Sequence, residues 1–229
     1  MNNVFIDSFL AGITQTLIGH PFDTIKTIKQ MNPNKYNTAI LKETIKKNGI
    51  LYLYRGYFPP LIGGCLQNSI VFTLENYFNK YIPNTLMCGF LSGVGSAIVM
   101  TPSEYIKCKL QINNKLKIKN IINDNLYKGI GLTLIRDSIG FSIYFTSYRY
   151  LQKKYNNPLI NGGISGVLSW IYSYPIDTIK TKYQVTDKSI IEIIKNTSYK
   201  NYTSGMLVML LRSFIVNAGI FYTFEKLQN

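Results

Sequence analysis

The sequence predicts an all-α membrane protein with six spanning helices, arranged as three repeats of two helices. Charged residues make up only 16% of the 229 residues and leave long uncharged runs between them. Such runs approach the roughly 20 apolar residues that a helix needs to cross a bilayer. In addition, one proline-centred motif occurs three times along the chain, which indicates an internal triplication.

The net charge limits the possible partners. Lysine and arginine number 25 against 11 aspartates and glutamates, which gives a formal charge of +14. Basic chains bind nucleic acids or membrane surfaces, but the uncharged runs would interrupt the basic face that nucleic-acid binding needs. Three cysteines are too few for a disulfide scaffold, and a single histidine without clustered cysteines argues against a metal site. No nucleophile–base pair is evident, so an enzyme is not predicted.

Six segments are candidates for the spanning helices. Residues 56–74, 81–103 and 155–176 are free of charged side chains, whereas 4–22, 129–148 and 206–224 contain a few. Glycine, serine and threonine are frequent inside these segments. They are weaker helix formers in soluble proteins than alanine or leucine, but they suit the close packing of helices in membranes. A soluble all-helical protein with buried helices is the alternative interpretation.

The repeated motif is a proline followed at fixed spacing by an acid, a lysine and a glutamine. Its copies are PFDTIKTIKQ at 21–30, PSEYIKCKLQ at 102–111 and PIDTIKTKYQ at 175–184. Two small residues also precede each proline, one helical turn apart, as in the contact faces of membrane helices. The register divides the chain into repeats at 1–80, 81–154 and 155–229.

The pattern Pro-x-acidic-x-x-basic-x-basic-x-Gln, present three times, resembles the mitochondrial carrier family over the whole chain. The resemblance implies six tilted transmembrane helices in a threefold pseudo-symmetric barrel, with a short matrix-side helix in each repeat. The odd helices are expected near 4–30, 84–112 and 158–184, the even helices near 56–79, 129–152 and 205–227, and the short helices near 37–47, 116–123 and 188–196.

The resemblance also implies a function. Members of the family are transporters of the mitochondrial inner membrane, so this chain is expected to move a small metabolite by alternating access, by exchange and as a monomer. Both termini would lie toward the intermembrane space. No nucleic acid, metal or organic cofactor is expected, and cardiolipin is the expected bound lipid.

The six charges of the motif predict a gate at the matrix end. A proline inside a helix removes a hydrogen bond and kinks the helix, which would bring the charges of the three odd helices together. The resemblance implies three ion pairs braced by glutamines, while a static ring that only holds the bundle shut is the alternative. The prolines are Pro21, Pro102 and Pro175; the expected pairs are Asp23–Lys107, Glu104–Lys180 and Asp177–Lys26; and the braces are Gln30, Gln111 and Gln184.

The opposite end lacks a matching set of charges. The aromatic-acidic-x-x-basic pattern of the resembled family places Asn76, Arg149 and Glu225 at its acidic position. Only Glu225 is an acid there, and no basic partner follows. We therefore expect a weak outer gate and a resting state that is open toward the intermembrane space.

The substrate level is predicted from two arginines in the even helices. Charged residues within a membrane bundle are functional candidates, and the planar fork of arginine suits a carboxylate or a phosphate. The resemblance implies contact with the substrate near the bilayer midplane, although Arg136 and Asp137 could instead pair with other helices. The predicted site consists of Gly63, Gly64, Gln67, Asn68, Arg136, Asp137 and Arg212.

The charge balance at this level narrows the substrate class. Two arginines against one aspartate favour an anion or a zwitterion over a doubly cationic substrate. An arginine–acid pair resembles carriers of amino acids and carnitine. Nucleotides are the alternative, because their phosphates would suit both arginines.

The expected lipid sites lie at the start of the even helices. By resemblance, backbone N–H groups at these helix N-termini would bind cardiolipin headgroups, since a helix N-terminus is a natural anion site. The third copy has Ser204 in place of a basic residue, which weakens that site. The lipid-binding candidates are Tyr54, Arg55, Gly56, Tyr127, Lys128, Gly129 and Gly205.

Overall fold

The structure, a computed structural model, describes the backbone of residues 2–113, 115–155 and 157–216. It describes their side chains as well, except for 2–12, 14 and 159. Within these residues the chain forms helices and short 3-10 turns without any strand, so the all-helical prediction is confirmed for this part of the protein.

The helices follow the predicted order, and their bounds differ from the predicted ones by at most two residues. They are α1 (Asn2–Met31), α2 (Asn37–Asn48), α3 (Phe58–Asn79), α4 (Thr85–Ile112), α5 (Ile118–Ile121), α6 (Ile130–Gln152), α7 (Pro158–Val185), α8 (Ile190–Asn196) and α9 (206–216, at the end of the described range). The expected end of the last helix, near 227, lies outside the described residues.

Among the described residues one helix, α4, is long and apolar enough by length and composition to cross a membrane. That the other five segments cross a membrane remains a prediction.

Local signals explain where the helices begin and end. The side chain of Asn84 accepts hydrogen bonds from the backbone N–H groups of Leu86 and Met87 and so caps the start of α4. Ser189 caps α8 in the same way through the N–H of Glu192. Gly49, with a φ of 78°, ends α2 in a conformation that favours glycine.

The long helices pack side by side. Helix α4 packs against α3 on one side and α6 on the other, and α6 also packs against α7. A Cβ atom at Gly93 would lie 2.5 Å from the carbonyl oxygen of Asp137, and one at Gly89 would lie 2.6 Å from that of Phe141. The small residues of the second repeat therefore let the backbones of α4 and α6 touch. The corresponding first-repeat pair, residues 8 and 12, lies outside the described side chains.

Replacing Gly93 by alanine should destabilise the α4–α6 contact. The added methyl group would meet backbone atoms, which cannot move aside like a side chain, so we expect the melting temperature to fall by about 3–8 °C. A thermal melt in detergent measures this. Gly131→Ala is the matched control, because a Cβ there meets nothing within 4 Å. Equal melting of both variants would contradict the assigned contact.

Candidate functional site

A cavity of about 1120 Å³ lies between the long helices. Asp23, Lys26, Glu104 and Lys107 line one end of it. Glu75 and Arg149, which are close to the C-terminal ends of α3 and α6, also line it. The cavity therefore extends from the motif charges of the odd helices to the last turns of two even helices.

The six motif charges form a closed ring of ion pairs at one end of the cavity. Lys107 Nζ lies 2.6 Å from Asp23 Oδ2, and Lys26 Nζ lies 2.6 Å from Asp177 Oδ2. The third contact joins Lys180 to Glu104. The pairs link α1 to α4, α7 to α1 and α4 to α7, so each motif helix is bound to the other two. We call these six residues the ion-pair ring.

The proline motif positions the ring. Pro21, Pro102 and Pro175 each lie inside an odd helix, and the acid and lysine of each copy follow within the next two turns. The acids and lysines are shielded from water, as Asp177 and Lys180 are each only 2% exposed. Breaking a buried pair by removing one partner costs about 3–5 kcal/mol. Removing one partner would therefore leave a buried, unpaired charge between the three motif helices.

The three glutamines have different partners. Gln30 donates to Asp177 Oδ2 at 2.8 Å and so braces the ring. Gln111 donates to Thr24 Oγ1 at 2.9 Å, and Gln184 donates to the carbonyl oxygen of Lys128 at 3.2 Å. In this structure Gln111 and Gln184 therefore connect neighbouring helices and turns, because those acceptors lie within reach of their amide groups.

Arg136 is bound to the ring. Its Nη1 donates to Glu104 Oε1 at 2.9 Å and its Nη2 to Glu104 Oε2 at 3.0 Å, a bidentate contact. Nη1 also lies 3.3 Å from Asp177 Oδ1, and Nε donates to Asp137 Oδ1 at 2.7 Å. Arg136 lines the cavity, but its N–H groups point at the carboxylates of Glu104, Asp177 and its neighbour Asp137.

Arg212 contacts the remaining ring acid through a single ion pair. Its Nε lies 2.7 Å from Asp23 Oδ1. The side chain passes over Gly19, where a Cβ would come within 2.8 Å of the same nitrogen. Each ring acid therefore contacts one lysine and one arginine. Five cations surround four acids: Lys26, Lys107, Lys180, Arg136 and Arg212 against Asp23, Glu104, Asp177 and Asp137.

Of the two predicted glycines on α3, only one lines the cavity. Gly64 lines the cavity. Gly63 instead faces α4, because a Cβ there would collide with the side chain of Ser103. Of the two predicted residues, only Gly64 can therefore present its surface to a substrate.

Gln67 and Asn68 line the cavity but already hold polar partners. Gln67 Nε2 donates to Ser96 Oγ at 2.6 Å, and this hydroxyl donates to Asp137 Oδ2 at 3.0 Å. Asn68 Nδ2 donates to Gln15 Oε1 at 3.2 Å. Asp137 is thus fixed between Ser96 and Arg136.

Aromatic side chains outside the predicted site form one side of the cavity. We call them the aromatic wall: Phe72, Phe141, Tyr144, Phe145 and Tyr148. Their ring centroids lie about 6 Å apart, as between Phe141 and Phe145 at 6.2 Å and Phe72 and Phe145 at 5.9 Å. Four of them recur along α6 at helical spacing, a signal that could have identified this face. Trp170 also lines the cavity, with Lys26 Nζ 5.1 Å from its ring centroid.

The end of the cavity opposite the ion-pair ring contains an ion pair that the sequence pattern did not indicate. Arg149 Nη2 lies 2.5 Å from Glu75 Oε1. This pair does not follow the expected acidic-x-x-basic spacing, because Glu75 occupies the aromatic position of the first repeat and Arg149 the acidic position of the second. Asn76 lines the cavity, and Glu225 lies outside the described residues.

The basic residues before the even helices act as caps of the odd helices. Arg55 Nε donates to the carbonyl of Leu110 at 2.8 Å, and Lys128 Nζ donates to that of Thr186 at 2.8 Å. The hydroxyl of Ser204 lies 3.4 Å from the carbonyl of Lys29. These side chains satisfy carbonyls at helix C-termini.

The glycines that follow these caps share one conformation. Gly56, Gly129 and Gly205 have φ values of 72°, 89° and 88°. The neighbouring Tyr54 and Tyr127 are partly exposed. Lipid binding by the seven candidates named from the sequence, which are these five residues with Arg55 and Lys128, remains a prediction.

In the part of the chain that the structure describes, no cluster of metal-ligating side chains is present.

Known proteins resemble the chain along its length. A mitochondrial arginine transporter of Arabidopsis thaliana is 26% identical, with 96% of this chain and 88% of the relative aligned. A mitochondrial ornithine transporter of Saccharomyces cerevisiae is 28% identical, over 97% of this chain and 93% of the relative. A mitochondrial carnitine/acylcarnitine carrier protein of Rattus norvegicus is 26% identical, over 98% and 92%.

The chain also matches a model of a protein family. The family model described as "Mitochondrial carrier protein" matches three successive parts of the chain, at residues 2–85, 78–159 and 154–229. Since these matches together extend over almost the whole sequence, the chain belongs to the mitochondrial carrier protein family and is a transporter of that family.

Proposed function

We propose that this transporter exchanges a small anionic or zwitterionic metabolite across the mitochondrial inner membrane by alternating access. It would act as a monomer, with six spanning helices forming a barrel, both termini toward the intermembrane space and cardiolipin bound at the matrix side. The observation that carries the proposal is a large cavity whose arginines are bound to the same acids that form the ion-pair ring.

This shared contact suggests how a substrate would open the ring. A carboxylate or phosphate in the cavity can compete with Glu104 for Arg136 and with Asp23 for Arg212. Each ring acid would then keep only its lysine, which weakens the connection between the motif helices. A ligand changes a conformational equilibrium only through its different affinity for the two states. Here Arg136 and Arg212 could bind a substrate fully only after they release the ring acids. The substrate would therefore bind the state with the broken ring more tightly than the state with the closed ring.

The substrate head group follows from the charges in the cavity. The acids that line it contact lysines or arginines: Asp23, Glu75, Glu104 and Asp137. A doubly cationic substrate would have to displace one of these partners. A zwitterion such as carnitine can place its carboxylate on an arginine, and one relative is named for this substrate. Arginine and ornithine, named by two other relatives, can place their carboxylate in the same way, but each carries two cationic groups, one of which would have to compete for an acid of the cavity.

Nucleotides are the second candidate, and the aromatic wall favours them. A base can stack on aromatic side chains, a contact worth about 1–3 kcal/mol. The phosphates would then face Arg136 and Arg212, which suit phosphate geometry.

Uptake into liposomes tests both candidates. The purified protein is reconstituted, and labelled arginine, ornithine, carnitine, ATP and deoxynucleotides are offered with the same unlabelled compound inside. We expect uptake of one class, dependent on the internal substrate. Uptake of nucleotides alone would select the second candidate, and absence of any uptake would contradict the proposal for these compounds.

A cysteine at Gly64 should report the resting conformation. Gly64 lines the cavity, and a Cβ there lies 3.8 Å from Thr16 Oγ1, so a side chain fits. Because the ring closes one end of the cavity, a membrane-impermeant maleimide should label Gly64→Cys from the intermembrane-space side and much more slowly from the matrix side. The variant is made without Cys65, Cys88 and Cys108. Fast labelling from the matrix side would contradict the assigned orientation.

A further inference from the structure

The excess positive charge of the ring and its arginines is concentrated at one ring acid. Asp23 contacts two cations, Lys107 and Arg212, so these three residues carry one net positive charge. The other charges pair three acids with three cations and sum to zero: Glu104, Asp137 and Asp177 with Lys26, Lys180 and Arg136. An anion that enters the cavity therefore meets an uncompensated cation beside Asp23 and none in the neutral group.

The two arginines also differ in how they use their planar forks. Arg136 donates both Nη1 and Nη2 to Glu104, so its fork is occupied while the ring is closed. The nearest atom of Arg212 to Asp23 is Nε, at 2.7 Å, and this contact lacks the geometry of a hydrogen bond. Within the described part of the chain, no acceptor takes a hydrogen bond from Nη1 or Nη2 of Arg212, and this residue lines the cavity. The fork of Arg212 is thus open to an anion in the closed ring.

Gly19 makes room for this open fork. A Cβ atom at Gly19 would lie 2.8 Å from Nε, 3.0 Å from Nη2 and 3.1 Å from Cζ of Arg212. The guanidinium group therefore lies directly against the backbone of α1. Gly64 is close to it, because a Cβ there lies 3.8 Å from Thr16 Oγ1, about one helical turn before Gly19.

We propose that the anionic group of the substrate binds first to the fork of Arg212 while the ion-pair ring is closed, and reaches Arg136 only after the ring opens. The inference rests on the proposed transport function, since it orders two steps of the same cycle. Carboxylates and phosphates both fit an arginine fork. Arg212 then determines the affinity of the resting carrier, whereas Arg136 acts in a later step, because it must first release Glu104.

Protection of a cysteine from labelling tests this order without turnover. Gly64→Cys, in a protein without its native cysteines, is labelled by the impermeant maleimide in liposomes that contain no solute. Arginine, ornithine, carnitine, ATP and deoxynucleotides are added outside, and the concentration that halves the labelling rate is measured for each. We expect at least one compound to protect. Arg212→Lys should raise its half-protective concentration about tenfold or more, the size expected for a lost charge-assisted hydrogen bond. Arg136→Lys should change it by no more than about threefold.

Gly19→Ala tests the same site with Arg212 still present. The added methyl group would push the guanidinium group aside, and a flexible side chain can move without disturbing the helices. Because alanine is a better helix former than glycine, the melting temperature should not fall. The half-protective concentration should nevertheless rise about as much as in Arg212→Lys. Gly131→Ala is the matched control and should change neither quantity, since a Cβ there meets nothing within 4 Å.

The outcomes separate this inference from the proposed transport. Protection by none of the compounds, or protection that Arg136→Lys weakens and Arg212→Lys does not, would overturn the order of binding even if uptake is observed. Protection that depends on Arg212, without uptake of any compound, would support the site and contradict only the transport.

Discussion

Replacing Asp23 by lysine is expected to reduce uptake about 100-fold or more, the largest effect of any single change in the ion-pair ring. Asp23 is the common partner of Lys107 and Arg212, at 2.6 and 2.7 Å. The variant leaves both cations without their acid and adds a third positive charge in a buried site. Losing one partner of a buried pair costs about 3–5 kcal/mol, and each 1.4 kcal/mol changes an equilibrium constant tenfold. The closed ring would therefore be populated at least about 100-fold less, and transport that passes through this state should slow in proportion. Initial rates of uptake into liposomes measure it.

The control for this variant is Glu43→Lys, which makes the same change of charge on α2. Glu43 pairs with Lys35 and Lys47 at the surface, where an ion pair contributes about 1 kcal/mol or less. The uptake rate of Glu43→Lys should therefore stay close to that of the unchanged protein. If Asp23→Lys also transported at an undiminished rate, the ring would not act in transport.

The milder Asp23→Asn variant distinguishes a gate from a static ring. A gate that opens during transport should open more often when one of its pairs is weakened. Labelling of Gly64→Cys from the matrix side should then become faster in Asp23→Asn. A static ring predicts lower thermal stability with no change in labelling from that side.

Much of the helix layout could be predicted from the sequence, because the signals are local. The proline, acid and lysine of each motif copy lie within two turns of one helix. Their fixed spacing places the charges at one level of any bundle in which the repeats are equivalent. The helix bounds follow from runs of apolar residues and from caps such as Asn84. These features depend on neighbours in the chain.

The partners of the cavity residues could not be predicted, because they depend on contacts between distant parts of the chain. The spacing identified Arg136, but only the packing of α4 and α7 against α6 shows its contacts with Glu104 and Asp177. Gly63 and Gly64 are adjacent in sequence yet face different neighbours, since successive helical residues point about 100° apart. Glu75 was overlooked because it occupies a position where an aromatic residue was expected.

The contacts of Arg136 suggest that this side chain both stabilises helix packing and binds the substrate. In the closed ring, the guanidinium group satisfies three carboxylates and so stabilises the packing of α4, α6 and α7. During transport, the same group would bind the substrate. A variant that removes it should therefore affect stability and uptake together, and a second substitution is needed to separate the two effects.

Replacing Arg136 by alanine should reduce uptake about 50-fold or more and also lower the melting temperature. The bidentate contact with Glu104 disappears, and Asp137 loses its cation in a buried site, a loss of several kcal/mol. Arg136→Lys keeps the charge but not the planar fork, so it should recover much of the stability and only a small part of the uptake. Liposome assays and thermal melts measure the two effects.

The double variant Arg136→Ala with Asp137→Ala separates binding from packing. It removes the buried acid together with its partner, so the melting temperature should rise above that of Arg136→Ala, as expected for coupled neighbours. Uptake should stay as low as in the single variant, because no guanidinium remains in the cavity wall beside Glu104 to bind an anionic group. If uptake instead recovered in parallel with stability, Arg136 would be a structural partner of the ring, and the substrate anion would have to be placed elsewhere, with Arg212 as the remaining arginine at this level.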